Sequence, residues 1–320
     1  MPVRPEPQRS LVVRTEHLDP EAETWLKERC ELLHAEVDSK EFAAVAAEVH
    51  GLVVRTYTIV DERLLDRLPE LRVVARAGVG LDNIDVEACR RRGIEVVHTP
   101  DANTQAVVEY VTCLLCDAIR PRLTLGEPVS RTRWSEIRSE VCGAWQMNEL
   151  VLGILGFGRI GRRVAQVATA LGFTTIYHDL LEIPESDRHG ASPVSMDGLL
   201  AESDVLTVHV DGRDANHGLL DAGIIGRLKS DVILLNTSRG FIIEEGPLAA
   251  WLESNPTALA ILDVHATEPF TEDDPLLGLS NAHLAPHLAS RTTTALSNMS
   301  WVVKDVWRLL QGESPRHPAP

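Results

Sequence analysis

The chain has 320 residues, 44% of them hydrophobic, with a formal net charge of −16 and a mean hydropathy of −0.04. It is long enough for two domains with sizeable cores, too acidic to favour nucleic acid as a main partner, and without the run of about 18 apolar residues that a membrane span needs. Apart from Lys27, Lys40, Lys229 and Lys304 its cations are all arginine, so an anionic substrate would need a local arginine cluster.

In chain order, the first hundred residues alternate short apolar runs with helical patterns. Residues 11–14 read as a strand, 20–33 as a helix, 52–55 as a second strand and 62–71 as a helix. A third strand at 73–75, a helix at 86–92 and a fourth strand at 94–97 follow. Such alternation predicts an α/β fold with a parallel, doubly wound sheet. Residues 103–120 read as one long helix leading into a second domain. Residues 121–149 read as irregular, with Trp134 and Trp145 as anchors. The alternation then restarts: a strand at 150–155, a helix at 159–171 with Ile160, Val164, Val167 and Leu171 on one face, and strands at 174–177, 205–210, 232–235 and 258–262. One helix is expected over about 292–310, and the polar, proline-rich tail 312–320 reads as disordered.

Five scattered cysteines, Cys30, Cys89, Cys113, Cys116 and Cys142, make no disulfide framework. Cys113 and Cys116 lie in an amphipathic helical run and read as two small buried side chains one turn apart rather than a redox or zinc pair. The opening Met1 to Arg9 carries no apolar leader segment, which places the chain in the cytoplasm.

Gly156-Phe-Gly158-Arg159-Ile160-Gly161 follows an apolar strand and opens an amphipathic helix. In that context the first glycine permits a tight turn, the second lets a pyrophosphate approach the backbone, and the third lets helix and strand close together. The helix N-terminus offers unpaired N–H groups to the phosphates. Asp179, about 20 residues on, can bind both hydroxyls of an adenosine ribose and would repel a 2′-phosphate, so the expected cofactor is NAD.

Three polar residues follow: Arg239 in Asn-Thr-Ser-Arg-Gly, Glu268 in His-Ala-Thr-Glu-Pro, and His287 in Ala-Pro-His-Leu-Ala. Singly, they read as a surface cation, a helix-capping acid and a loop histidine. However, Arg239 and Asp263 directly follow buried strands, and strand carboxyl ends form the ligand crevice of an open parallel sheet. A cation, a carboxylate and an imidazole beside a dinucleotide form the minimum set for moving a hydride to or from a carbonyl. His283 and His287 are four apart, but Pro286 breaks any helix between them, so a two-histidine metal site is not expected.

The segments 76–85 (Arg-Ala-Gly-Val-Gly-Leu-Asp-Asn-Ile-Asp), 153–161, 235–240, 262–269 and 285–289 together resemble the D-isomer-specific 2-hydroxyacid dehydrogenase family, over about residues 50–311. The resemblance implies two doubly wound domains: a flavodoxin-like substrate domain from 1–103 and 292–320, interrupted by a Rossmann NAD domain at 104–291. It implies that Arg239 binds the substrate carboxylate and polarises the carbonyl, and that His287 is the general acid of reduction and base of oxidation. Glu268 would orient the imidazole and raise its pKa by favouring the imidazolium. Asp263 would meet the nicotinamide carboxamide, Val107 would lie near that ring, and Thr237 and Ser238 would join Arg159 and Ile160 at the cofactor. Amides of Gly78, Val79 and Gly80 would cradle the carboxylate.

Within the family the chain looks most like D-3-phosphoglycerate dehydrogenases, whose substrate-side arginines match Arg55 and Arg76; the two suit interdomain salt bridges nearly as well. Expected substrates are a small D-2-hydroxy acid and its 2-oxo acid, such as 3-phosphoglycerate, hydroxypyruvate or glyoxylate. A homodimer through residues 103–150 is implied. Corepressors of the same fold, which share the Asp-Val-His-x-x-Glu-Pro-Phe wording at 263–270, imply an alternative: an NAD(H)-sensing binding protein with vestigial catalysis. Three departures stand out. The chain ends at 320, short of a regulatory extension some members carry; Asp211 replaces a usual proline; and Ala289-Ser-Arg-Thr replaces a glycine-containing stretch.

Overall fold

A computed structural model describes residues 9–120 and 122–320. The leader reading over residues 1–8, and position 121 at the start of the stretch read as irregular, lie outside the described residues. The chain divides into two units, Met1–Asn103 with Arg291–Pro320, and Thr104–Ser290.

The first unit holds β1 (Leu11–Arg14), β2 (Glu31–His34), β3 (Val49–Val54), β4 (Val73–Arg76) and β5 (Glu95–Val97). They form a parallel sheet in the order β2-β1-β3-β4-β5, the flavodoxin-like arrangement. Val12, Val13, Val73 and Val74 are fully buried because helices cover both faces, which is why these strands read as continuous apolar runs. One face packs on Phe42, Leu64 and Leu68, the other on Val302, Val303 and Val306 from the end of the chain.

The first unit departs from three expectations. The helix expected over 20–33 stops at Lys27, and its last third is β2. That strand lies at the sheet edge with Glu31 and His34 exposed, so it lacks the buried run that betrays a strand. The single last helix is two, Thr293–Ser300 and Val303–Leu310, parted by a turn at Trp301. The tail is ordered. His98 N–H donates to the His317 carbonyl (3.1 Å), Ala319 N–H donates to the Val96 carbonyl (2.7 Å), and Pro318 faces Val97 in an antiparallel bridge. Asp305, 3% exposed, accepts the Arg316 and His317 amides at 2.9 and 3.1 Å. A proline-rich segment can dock this way because a sheet edge needs few donors from it. Burial pushes the thiols of Cys30 and Cys89 up to about 11, which keeps them inert.

The second unit holds β6 (Val151–Leu155), β7 (Thr174–His178), β8 (Ser192–Pro193), β9 (Val205–Val208), β10 (Ile233–Asn236), β11 (Leu259–Leu262) and β12 (Ala282–Leu284). The parallel order is β12-β11-β10-β9-β6-β7-β8. It is the Rossmann order with a seventh strand added, and its direction of winding reverses between β6 and β9. The helix Thr104–Ile119 buries Val108, Val111 and Leu115 against Val164, Ala165 and Ala168 of the helix Arg159–Leu171. Cys113 lies on the opposite side and is exposed, with Cys116 partly so; the expectation of a buried pair was wrong because the helix spends its narrow apolar stripe elsewhere.

Residues 121–149 also contain a helix, Arg131–Glu140, with no buried residue. Its sequence gives no apolar period, and it is held instead by a Ser130 cap and by Arg133, which meets both oxygens of Glu140 at 3.0 and 3.1 Å. Trp134 and Trp145, expected as anchors, are 52% and 57% exposed, so neither is a core residue. Among the described residues no helix is long and apolar enough to cross a membrane.

Candidate active site

The glycine loop sits at the carboxyl end of β6, at the reversal point of the second sheet. Gly156 has φ +91°, and a Cβ there would come within 2.6 Å of the Val210 nitrogen. A Cβ on Gly161 would meet the Gly156 carbonyl at 2.3 Å; only glycine lets this helix start so close to the strand. Gly158 caps the helix Arg159–Leu171 and has open space where a side chain would be. Arg159 is exposed and Ile160 half-buried beside it. Asp179 follows β7, as its spacing requires, and also holds the loop: it accepts Phe157 N–H at 2.6 Å and Leu181 N–H at 2.8 Å. Phe157 stacks on Tyr177, centroids 3.9 Å apart. Leu180 and Leu181 beside Asp179 are 76% and 73% exposed.

Arg239 follows β10. Asn236 shapes its turn, accepting Ser238 N–H and Oγ–H at 3.0 and 2.9 Å and donating to the Arg239 carbonyl at 2.8 Å. The Arg239 guanidinium donates to the Ser238 carbonyl at 2.7 Å. Thr237 is buried, and its hydroxyl has no hydrogen-bond partner among the described residues. A Cβ on Gly240 would fall 1.9 Å from the carbonyl carbon of His265, so this glycine brings the Arg239 turn against the backbone of the Glu268 segment. Nothing but the type of residue marked it in the sequence.

Glu268 and His287 meet directly. His287 Nδ1 lies 2.8 Å from Glu268 Oε2, and Glu268 Oε1 accepts the His265 N–H at 3.1 Å. Burial pushes the Glu268 carboxyl up, but the hydrogen bond and charge of His287, with help from the His265 amide, outweigh it and hold the pKa below the ordinary value. The Glu268–Pro269 peptide bond is cis. His287 occupies a left-handed conformation, φ +54°.

Asp263, fully buried at the end of β11, explains how His287 is held there. Its carbonyl accepts the His287 N–H at 2.9 Å, and its two carboxylate oxygens accept the Leu288 and Ala289 amides at 2.7 and 2.8 Å. Burial raises the Asp263 pKa despite these bonds. The sequence pointed to Asp263 for a cofactor contact; its role as anchor of the imidazole loop carried no sequence signal. Val107 lies in the core, 3% exposed. Asp211, the residue replacing a proline, accepts from Arg213 Nε and Asn216 Nδ2, each at 2.8 Å, and so closes its own loop.

In the first unit Arg55 and Arg76 stand at the carboxyl ends of the adjacent strands β3 and β4. Asn83 joins their loops, accepting from Arg76 Nε at 3.1 Å and donating to the Arg55 and Thr58 carbonyls at 3.1 and 2.7 Å. The Arg76 guanidinium lies over Gly78, where a Cβ would meet Nη1 at 2.2 Å. The carbonyls of Gly78 and Val79 are taken by Thr99 and His98; Gly80 is half-buried beside them. Sequence reading missed Glu16, whose carboxylate accepts four successive amides, those of Arg55, Thr56, Tyr57 and Thr58, at 2.9 to 3.2 Å.

The second unit is thus a dinucleotide-binding domain by strand order and by its glycine loop. The open space at Gly158 and the unpartnered Thr237 hydroxyl fit such a cofactor. The family model for the NAD binding domain of D-isomer specific 2-hydroxyacid dehydrogenases matches residues 113–289, and the chain belongs to that family. It is 36% identical over 278 residues to a D-3-phosphoglycerate dehydrogenase of Mycobacterium tuberculosis, covering 86% of this chain and 52% of the relative. It is 36% identical over 273 residues to a glyoxylate reductase of Aeropyrum pernix, covering 81% and 80%. The chain spans about half the length of the phosphoglycerate dehydrogenases it matches. A D-lactate dehydrogenase from Aquifex aeolicus, solved with NAD and lactic acid, superposes with a TM-score of 0.82 at 25% identity, covering 95% of this chain and 96% of that one.

Proposed function

We propose that the protein is an NAD-dependent oxidoreductase that interconverts a small D-2-hydroxy acid and its 2-oxo acid. The observation that carries the reading is the Glu268–His287 pair at the carboxyl end of the second sheet, the end that also carries Arg239 and the glycine loop. Bound NAD supplies the hydride acceptor in oxidation and, reduced, the donor in reduction. Thr237, Ser238, Arg159, Ile160 and the loop amides hold it, Asp179 binds the adenosine ribose, and Val107 and Asp263 back the nicotinamide end.

Glu268 takes Nδ1 of the imidazole, which leaves Nε2 as the proton-carrying atom of His287. In reduction the imidazolium gives that proton to the carbonyl oxygen as the hydride reaches C2; in oxidation the neutral ring takes the hydroxyl proton. Arg239 pairs with the substrate carboxylate and draws charge from the carbonyl. The Gly78 amide is not free for this, because it donates to the Arg76 carbonyl at 2.8 Å; the amides of Val79 and Gly80 are the ones we assign to the carboxylate.

The substrate class we favour is a three-carbon acid with a second anionic group, read by Arg55 and Arg76. Burial lowers the pKa of Arg55, and the nearby Arg291 lowers it further against the opposing charge of Glu16. A partly desolvated cation beside another cation gains by receiving an anion. The same reading makes the chain a homodimer, closed over the exposed Leu123, Leu125, Val129, Trp134 and Trp145; sedimentation as a monomer at micromolar concentration overturns that part.

The deciding experiment is NADH oxidation with phosphohydroxypyruvate, hydroxypyruvate, glyoxylate and larger 2-oxo acids. Turnover of at least one is expected. Tight NADH binding with no turnover across the panel overturns the enzymatic reading.

A further inference from the structure

His265 is 5% exposed, and its chemistry is unused by the proposed reaction. Its Nε2 lies 2.9 Å from the Ala285 carbonyl and donates to it. The lone pair is then on Nδ1, which is buried and has no hydrogen-bond partner among the described residues. A buried acceptor left unmade is costly, and an imidazole whose far N–H rests on a backbone carbonyl is in the form that ligates metals. Two carboxylates share its surroundings: the ligand atoms of His265, Glu245 and Asp274 all lie within 4.8 Å of one another. Each acid is oriented from behind by a backbone amide. Glu245 Oε1 accepts from Ala266 and Asp274 Oδ1 from Leu276, both at 2.9 Å, so each keeps a second oxygen.

We propose that Glu245, His265 and Asp274 form a binding site for a divalent first-row cation, with water completing the shell. One nitrogen and two hard oxygens suit Zn²⁺ or Mn²⁺, with Zn²⁺ the tighter. Ligands at about 2.1 Å from a tetrahedral ion stand about 3.4 Å apart. The spread of up to 4.8 Å needs a small inward movement, which the partly exposed carboxylate ends supply. The cation acts on structure rather than chemistry. It ties the start of the helix Glu245–Ser254 and the turn at Asp274 to the segment whose fourth residue, Glu268, aims His287.

Chelator-stripped protein titrated with Mn²⁺, a cation that avoids thiolates, should take up one ion per chain by paramagnetic resonance. Asp274→Asn and Glu245→Gln should each weaken uptake by more than the about 10- to 100-fold that loss of an outer-shell partner costs, with far-UV circular dichroism unchanged. Zn²⁺ should raise the melting temperature of the parent protein and not of Asp274→Asn. No stoichiometric Mn²⁺ uptake overturns the proposal. So does uptake, or a Zn²⁺-raised melting temperature, that survives both substitutions. None of these readouts depends on turnover.

Discussion

His287 presents Nδ1 to Glu268 Oε2 at 2.8 Å from a backbone with φ +54°, a conformation that costs a non-glycine residue on the order of 1 kcal/mol or more. The cost is met by Asp263, which binds the amides of residues 287, 288 and 289. Removing the imidazole should therefore cost chemistry and leave cofactor binding in place. His287→Ala should lower kcat by about 10²- to 10⁴-fold with NADH affinity nearly unchanged; a variant within a few-fold of the parent refutes its role.

The same contact sets an acid-side stability term. A carboxyl depressed in the folded state, as Glu268 is, adds stability that is complete above its unfolded value and is lost as pH falls through the folded one. Asp263, raised by burial, has the opposite sign: its term is complete below the unfolded value and is lost as pH rises through the folded one. Denaturant titrations between about pH 5 and pH 3 should show a shallower decline in Glu268→Gln than in the parent. Parallel curves would show that the pair contributes nothing to folding.

Gly240→Ala tests the approach of the Arg239 turn to the His265 backbone. A Cβ at 1.9 Å from a carbonyl carbon forces the two segments apart, and the expected loss is about 1–3 kcal/mol or more, read by chemical denaturation together with a fall in kcat. A change under about 0.5 kcal/mol, the usual range for a neutral surface site, contradicts the close packing described above.

Asp179 should make the protein prefer NADH to NADPH. Asp179→Ser should narrow that preference by relieving repulsion of the 2′-phosphate, and it should weaken both cofactors because the Phe157 amide loses its acceptor. Fluorescence titration decides; tighter NADPH binding by the parent reverses the argument.

Asp305→Ala should free the tail. It removes the acceptor of two amides next to a buried position, an effect of about 1–3 kcal/mol. Limited proteolysis should cut beyond Gly312 in the variant before it does so in the parent. Equal cleavage rates would mean that the edge contacts of residues 96–98 and the Arg90 hydrogen bond to the Ala319 carbonyl hold the tail without Asp305.

The sequence was most legible where burial was complete. The helix Arg159–Leu171 and the central strands β1, β3, β4, β6, β9, β10 and β11 write their positions in apolar periods. β2, β8 and β12 are edge strands, where about half the side chains meet water and the period fades. The helix Arg131–Glu140 buries nothing, so its only signals were a serine cap and charge spacing. At the site, the contact of Glu268 with His287 was readable from motif, but the anchoring by Asp263 was not, because it joins a side chain to amides 25 and 26 residues away. His265 stood inside a quoted motif, and its lone buried nitrogen appears only once Ala285 is placed beside it.

Glu16 already fills the ring of amides formed by residues 55 to 58. Those four amides are therefore already taken, and what the loop turns outward are the exposed side chains of Tyr57 and Ile59 beside the half-buried Arg55. The frame of that loop is fixed by an internal counter-anion, so exchanging those three side chains should leave the scaffold where it is.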